Sequence, residues 1–209
     1  MANSPVRVIL VDDHPVVRFG LAAIIGLQPD MVVVAEAGSG EDACSICASH
    51  PADVVLMDLR LPGLSGVETI RILRKAHPKL RFIVLTTYDG DEDIHRALEA
   101  GAQSYLLKAM SHSDLANAIR RVSSGLKVIP PSVSKSLAER PPNSRLSTRE
   151  LQVLELIVKG HSNKEIGDQL SISEATVKWH VNMILSRLNV SDRTQATVAA
   201  LKRGIVQLP

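Results

Sequence analysis

The stretch "VRVILVDDHP", residues 6–15, decides the fold. An apolar run broken only by Arg7 leads straight into two carboxylates, Asp12 and Asp13. A strand with one wet face alternates apolar and polar residues, and this one does not. Continuous apolarity is the mark of a strand in a parallel sheet covered on both faces. The pattern recurs in "MVVVAE" (31–36), "DVVLM" (53–57), "RFIVLT" (81–86) and "SYLL" (104–107). Helical periodicity fills the intervals, near 15–27, 41–49, 66–76, 91–100 and 112–124. Five strand–helix repeats predict an α/β domain with a doubly wound, flavodoxin-like, five-stranded parallel sheet. "SHSD" (111–114) predicts a capping box at the start of the fifth helix.

Beyond residue 125 the chain changes character. "VIPPSVSKSLAERPPNSR" carries two Pro-Pro pairs, which interrupt regular structure, and "SVSKSLAE" between them fits a short helix. Residues 126–146 are the expected linker between a domain at 1–125 and one at 147–209. From Ser147 the pattern is wholly helical. "STRE" (147–150) and "SNKE" (162–165) each place a serine three residues before a glutamate, the capping-box spacing. The first of these helices stops at Gly160, suited to a left-handed cap. The second is "NKEIGDQL", and "SIS" turns tightly into "SEATVKWHVNMILSRL" (173–188). A last helix spans about 192–203. This all-α, four-helix segment contains a helix-turn-helix.

The charges divide in the same place. Residues 1–125 hold twelve Lys/Arg against fifteen Asp/Glu, a net of −3, and residues 126–209 hold twelve against seven, a net of +5. A basic second domain fits a polyanion such as nucleic acid. On the helix from Ser173, Val177, Val181, Ile184 and Leu188 share one face, while Ala175, Trp179, Asn182 and Ser186 lie opposite, with Lys178 at the edge. The second helix of a helix-turn-helix enters the major groove of DNA, so Lys178, Trp179 and Asn182 are the expected base-reading face. The helix starts at Asn163 and Thr176 are expected phosphate contacts, with Lys164 and Arg187 adding positional charge. The alternative for Trp179, the chain's single tryptophan, is packing against the linker or the first domain.

Other classes find little support. No apolar stretch approaches the ~20 residues of a membrane span, and "MANSPVRVILVDD" is not a signal peptide; a cytoplasmic protein without membrane contact is expected. Cys44 and Cys47 form a Cys-x-x-Cys without a second ligand pair and read as reduced, packed thiols.

Asp12 and Asp13 end the first strand, Asp58 the third and Thr86 the fourth, and Lys108 follows the fifth. Ligands of open parallel sheets bind outside the strand C-termini. Three carboxylates gathered there would repel one another unless a cation sat among them. A hard divalent ion, most simply Mg²⁺, fits oxygen ligands.

"VDDHP", "LMDLRLPGLSG", "LTT" and "GAQSYLLK" resemble the receiver domain of two-component response regulators. Residues 146–196, "LSTRELQVLELIVKGHSNKEIGDQLSISEATVKWHVNMILSRLNVSDRTQA", resemble the LuxR-type helix-turn-helix. Together they resemble the NarL/FixJ subfamily. The resemblance implies that Asp58 is the phosphoacceptor, phosphorylated by a sensor histidine kinase. It implies Mg²⁺ on Asp12, Asp13, Asp58 and the backbone carbonyl of Arg60. Lys108 and Thr86 would contact the phosphoryl group, and Tyr105 would be the aromatic that changes rotamer. It further implies a homodimer, formed through the last helix, on paired half-sites of double-stranded promoter DNA, with RNA polymerase a candidate partner. Many receivers carry proline after the lysine, whereas Ala109 follows here. Arg60 and Tyr88, each two residues beyond a site residue, are expected to shield the phosphoryl group from water. Two alternatives stand beside a phosphorylation-controlled regulator: a Mg²⁺-dependent phosphatase or phosphotransferase using Asp58, and a DNA-binding protein whose receiver dimerises without phosphorylation.

Overall fold

A computed structural model describes residues 4–87, 90–138 and 145–206. The chain clusters into two compact units, residues 1–89 with 94–135, and residues 90–93 with 136–209.

The first unit is built on strands β1 (Val6–Val11), β2 (Met31–Ala37), β3 (Val54–Met57), β4 (Arg81–Thr86) and β5 (Ser104–Leu107). They pair in parallel in the order β2-β1-β3-β4-β5. Helices α1 (Pro15–Gly26), α2 (Gly40–Ser49), α3 (Gly66–Ala76), α4 (Asp91–Ala100) and α5 (His112–Ser123) alternate with them. Strands β1, β3, β4 and β5 are buried on both faces over most of their length, whereas the edge strand β2 is buried only at its ends and exposes Val32. Val8, Leu10, Ile83, Leu85 and Leu106 pack with Leu21 and Ile25 of α1 and Leu115 and Ile119 of α5. Their neighbours Ile9, Val55, Val84 and Tyr105, which point to the other face, are no less buried.

Helix starts follow local chemistry. Ser65 and Glu68 close a capping box on α3, one that the sequence reading passed over. At α5 the expected box forms only by half. Ser111 caps the Asp114 backbone N–H at 3.1 Å, but the Asp114 carboxylate bonds the Ser111 hydroxyl and no reciprocal bond closes the box. Aspartate is one methylene shorter than the glutamate that normally reaches back. Residues after α5 remain structured: the Val128 N–H donates to the Gln103 carbonyl at 2.9 Å, and Val128 forms a parallel bridge with Ser104 at the β5 edge. Helix α6 (Pro131–Ala138) then begins on a proline, which suits a first helical turn because its missing N–H would be unbonded there anyway. The second Pro-Pro pair lies outside the described residues. Cys44 and Cys47 are free thiols on α2, and burial pushes the Cys47 thiol up to about 11.

The second unit holds α7 (Thr148–Val158), α8 (Asn163–Leu170), α9 (Glu174–Leu188) and α10 (Arg193–Lys202). The boxes at Ser147/Glu150 and Ser162/Glu165 both form, and Gly160 takes a φ of 88° just past α7. Val153, Leu154, Ile157, Ile166, Val177, Ile184, Leu188, Ala196 and Ala200 make one aliphatic core. The α8–α9 turn is tight. A Cβ on Gly167 would lie 2.8 Å from the Ile172 carbonyl oxygen, so only glycine admits this approach. Among the described residues no helix is long and apolar enough to cross a membrane.

Candidate functional site

The C-terminal edge of the sheet collects the expected side chains. β1 and β3 are adjacent, and the Asp58 N–H donates to the Val11 carbonyl at 2.8 Å, so Asp12 and Asp58 emerge side by side. Both are buried, at 2% and 5% exposure, while Asp13 is exposed. Gly66 keeps the loop after Asp58 compact: a Cβ there would sit 2.1 Å from the Asp58 carbonyl oxygen. The Lys108 N–H donates to the Thr86 carbonyl at 2.8 Å, which ties the β5 end to β4. Its ammonium reaches Asp58 Oδ2 at 2.7 Å and Asp12 Oδ2 at 2.5 Å. Burial lowers the Lys108 pKa, but hydrogen bonds and charge from Asp12 and Asp58 outweigh it and hold the ammonium above its ordinary value. The Arg60 N–H donates to Asp58 Oδ1 at 3.4 Å.

Asp12, Asp13, His14 and Asp58 each offer one ligand atom, all within 4.8 Å of one another. Lys108 bonds two of the three carboxylates, Asp12 and Asp58, and the carboxylate donors are hard oxygens. The residues therefore fit a small divalent cation with oxygen preference, and receiver domains generally bind Mg²⁺ at such a pocket. Thr86 and Tyr105 are fully buried on adjacent strands, with Val84 opposite Tyr105 and Thr86 opposite Leu107. Tyr88 lies outside the described residues, and no cis peptide occurs among them, so the Lys108–Ala109 bond is trans.

Two residues here escaped the sequence reading. His14 caps α1, with its Nδ1 2.6 Å from Asp13 Oδ1 and its N–H donating to Asp12 Oδ1 at 2.9 Å. Arg18, one turn on, donates to the Asp12 carbonyl at 2.5 Å and pairs with Glu36 at 3.4 Å. The "DDHP" spacing marked the first; the second depends on β2 lying beside β1, which periodicity alone does not reveal. Helix α1 also exposes Val16 and Phe19, at 83% and 77%, one turn from this pocket.

In the second unit α9 presents the face read from its sequence. Val177, Ile184 and Leu188 are buried and Val181 packs against the same core, whereas Ala175, Lys178, Asn182 and Ser186 are exposed and Trp179 is 57% exposed. The indole meets His180 edge-on, with ring centroids 4.8 Å apart. Lys178 bonds Glu174 one turn back at 2.9 Å. That bond, then the Lys178 charge and, more weakly, Lys164 hold the Glu174 carboxyl below its ordinary value. Thr176 shares a 2.8 Å hydroxyl contact with Ser173. Lys164 is exposed at the start of α8, and Asn163 accepts from Arg193 at 3.1 Å. Arg187 stands apart from this face. Its guanidinium donates to Glu150 Oε2 at 2.7 Å and to the Arg145 carbonyl at 2.8 Å, so its charge is engaged inside the unit.

A buried acidic cluster bridged by a lysine on a five-stranded α/β unit, followed by a helix-turn-helix in a basic half of the chain, defines a class of signal-controlled DNA-binding proteins. Residues 8–120 match the response regulator receiver domain family, and residues 144–200 match the bacterial regulatory proteins of the luxR family. The transcriptional regulatory protein LiaR of Bacillus subtilis is 40% identical over 209 residues, covering 96% of this chain and 99% of that protein. The response regulator protein VraR of Staphylococcus aureus is 38% identical over 207 residues, covering 97% and 99%. Among solved structures, the response regulator ChrA of a heme-sensing two-component system is similar at 39% identity and a TM-score of 0.59, over 98% of this chain and 100% of that one. RcsB of Salmonella enterica serovar Typhimurium, bound to a promoter in the presence of a beryllofluoride phosphomimetic, is similar at 27% identity and a TM-score of 0.73, over 94% and 98%. The chain belongs to the NarL/FixJ response regulators, phosphorylation-controlled DNA-binding transcription regulators that join a receiver to a LuxR-type helix-turn-helix.

Proposed function

We propose that Asp58 takes a phosphoryl group from a sensor histidine kinase in the cytoplasm, and that the modified receiver (residues 1–125) acts through the linker (126–146) on the DNA-binding domain (147–209). The observation that carries this is the ammonium of Lys108 bonded at once to Asp58 and Asp12. A carboxylate is a weak nucleophile, and transfer to it depends on neutralising the phosphoryl oxygens. Lys108 stands where it can do so. Asp12, Asp13, Asp58 and the Arg60 carbonyl would hold Mg²⁺, which supplies charge neutralisation of the transferring group. The apolar α1 residues Val16 and Phe19 offer the kinase a docking surface close to the nucleophile.

Once phosphorylated, Asp58 carries nearly two charges and three acceptor oxygens. Lys108 then shifts its bond from the carboxylate to the phosphoryl oxygens, and the Thr86 hydroxyl moves to join it. The volume vacated beside Thr86 admits a turn of Tyr105, buried one strand away. Arg60, whose N–H reaches Asp58 Oδ1, shields the phosphoryl group from water. The shift promotes a homodimer, whose second half-site contact becomes intramolecular. In α10, Ala196 and Ala200 pack inward and Val198 is exposed, which supports self-association there. RNA polymerase is a candidate downstream partner.

On DNA, Lys178, Trp179 and Asn182 read bases, while Lys164 and Thr176 contact phosphates. The engagement of Arg187 with Glu150 favours a buttressing role over a phosphate contact. Trp179, the single tryptophan, makes the test direct. Its emission should change when the phosphorylated full-length chain is titrated with promoter duplex. Trp179→Ala should weaken binding roughly tenfold with an unchanged melting temperature, as expected for lost groove contact of about 1–3 kcal/mol. Emission untouched by DNA, with affinity preserved in Trp179→Ala, would assign the indole to an internal interface.

A further inference from the structure

His14 holds the N-cap position of α1, but its side chain makes no bond to the helix start. Serine, threonine, aspartate or asparagine would make one there. Pro15 follows His14 and confines its backbone to extended angles, a φ of −91° and a ψ of 108°. The His14 N–H is tied to Asp12 Oδ1 at 2.9 Å. A backbone fixed on both sides aims the imidazole at the acidic pocket. Its Nδ1 lies 2.6 Å from Asp13 Oδ1 and 3.4 Å from Asp12 Oδ1.

Lys108 takes Oδ2 of both Asp12 and Asp58, and their Oδ1 atoms accept backbone N–H groups from His14 and Arg60. An ionised carboxylate oxygen has capacity beyond one such bond. An isolated histidine–aspartate contact at a surface would mean little. Here the imidazole converges with three carboxylates: one ligand atom from each of Asp12, Asp13, His14 and Asp58 lies within 4.8 Å of the other three. Bonds near 2 Å place ligands on opposite sides of a small divalent ion about 4 Å apart. One ion can therefore gather all four after small side-chain rotations.

We infer that His14 is a ligand of the divalent ion held by this pocket, and that it widens the choice of ion from Mg²⁺ toward first-row transition ions such as Fe²⁺ and Co²⁺. The inference rests on the reading of Asp12, Asp13 and Asp58 as ion ligands. Mg²⁺ is served by carboxylate, carbonyl and water oxygens, whereas imidazole nitrogen suits the transition ions. In the neutral ring protonated at Nε2, Nδ1 carries the lone pair that ligation needs. His14 is thus the one softer donor among hard oxygens, and it decides between ions that the carboxylates alone would treat more nearly alike.

Mn²⁺ added to the full-length chain tests this, because its electron spin echo is modulated by nitrogen bound directly to it. The echo should carry the coupling of a bound imidazole nitrogen, and His14→Ala should remove it. The side chain is 67% exposed and makes no cap bond, so that variant should melt with the unaltered chain. Displacement of bound Mn²⁺, followed by the signal of the free ion, gives the affinities of competing ions. Co²⁺ binding should weaken about tenfold in His14→Ala, with Mg²⁺ binding changed by less than about twofold. Mn²⁺ binding that Asp13→Ala weakens, with no nitrogen coupling in the unaltered chain, would leave the carboxylate site standing and overturn the inference alone. Equal loss of Co²⁺ and Mg²⁺ in His14→Ala would make His14 a group that orients Asp13, which also overturns ligation. No Mn²⁺ binding, or binding indifferent to Asp13→Ala, would remove the ion site and the inference together.

Discussion

Asp58→Asn should gain no phosphoryl group when incubated with a small phosphodonor and Mg²⁺, under conditions in which the unaltered chain gains one by intact mass. Asparagine keeps the shape and volume of aspartate but has no nucleophilic oxyanion. Asp58 is 5% exposed and its Oδ2 is bonded by Lys108 at 2.7 Å, so the substitution removes one anionic partner while Asp12 still holds the ammonium. The fold should survive, and melting of the variant close to the original would separate lost chemistry from lost structure. Asp12 and Asp13 are the other carboxylates within reach. Undiminished labelling of Asp58→Asn would move the acceptor to one of them and dismantle the Thr86–Tyr105 relay with it.

The second large effect concerns stability. Glu150 closes the α7 capping box through Ser147, yet it is 2% exposed, and Arg187 lies 2.7 Å from its Oε2. Replacing Arg187 with methionine leaves a buried carboxylate whose remaining partners are the cap and its hydroxyl. Removing one member of a buried pair costs about 3–5 kcal/mol, and the partial exposure of Arg187 argues for the lower end. In a domain of this size that corresponds to a melting temperature lower by roughly 10–20 °C. The measurement is the thermal transition of the DNA-binding domain in full-length Arg187→Met, followed by helical circular dichroism. Glu150→Gln in the same chain should restore part of the loss, since it removes the stranded charge. An unaltered transition with weaker binding to every DNA sequence would instead make Arg187 a phosphate contact.

These two effects differ in how far the sequence announced them. Asp58 was legible because a continuous apolar strand ended on it, next to two more acids ending another strand; strand position and chemistry coincide. The outward placement of Trp179 followed from helical periodicity, since Val177, Ile184 and Leu188 could be buried only on the opposite side. The Ser147 and Ser162 boxes were legible because both partners lie within one turn. Arg187 was not, because its partner lies 37 residues away on another helix, and a basic residue near a helix end looks the same whether it meets phosphate or a buried glutamate. Arg18 was hidden for a similar reason, its ion-pair partner Glu36 being placed by strand order. The aspartate at 114 kept the pattern of a capping box without the reach. Val128 lay in a proline-rich stretch, where neither period shows that a single residue bridges the edge strand.

The measurement that bears most directly on phosphorylation control is DNA affinity with the modification present and absent. The chain should bind a duplex carrying two half-sites more tightly after treatment with phosphodonor, and sediment as a dimer, while Asp58→Asn should ignore the donor in both respects. Equal affinity and an unchanged monomer before and after stoichiometric phosphorylation of Asp58 would contradict the account, and would leave the receiver without control over the helix that reads DNA.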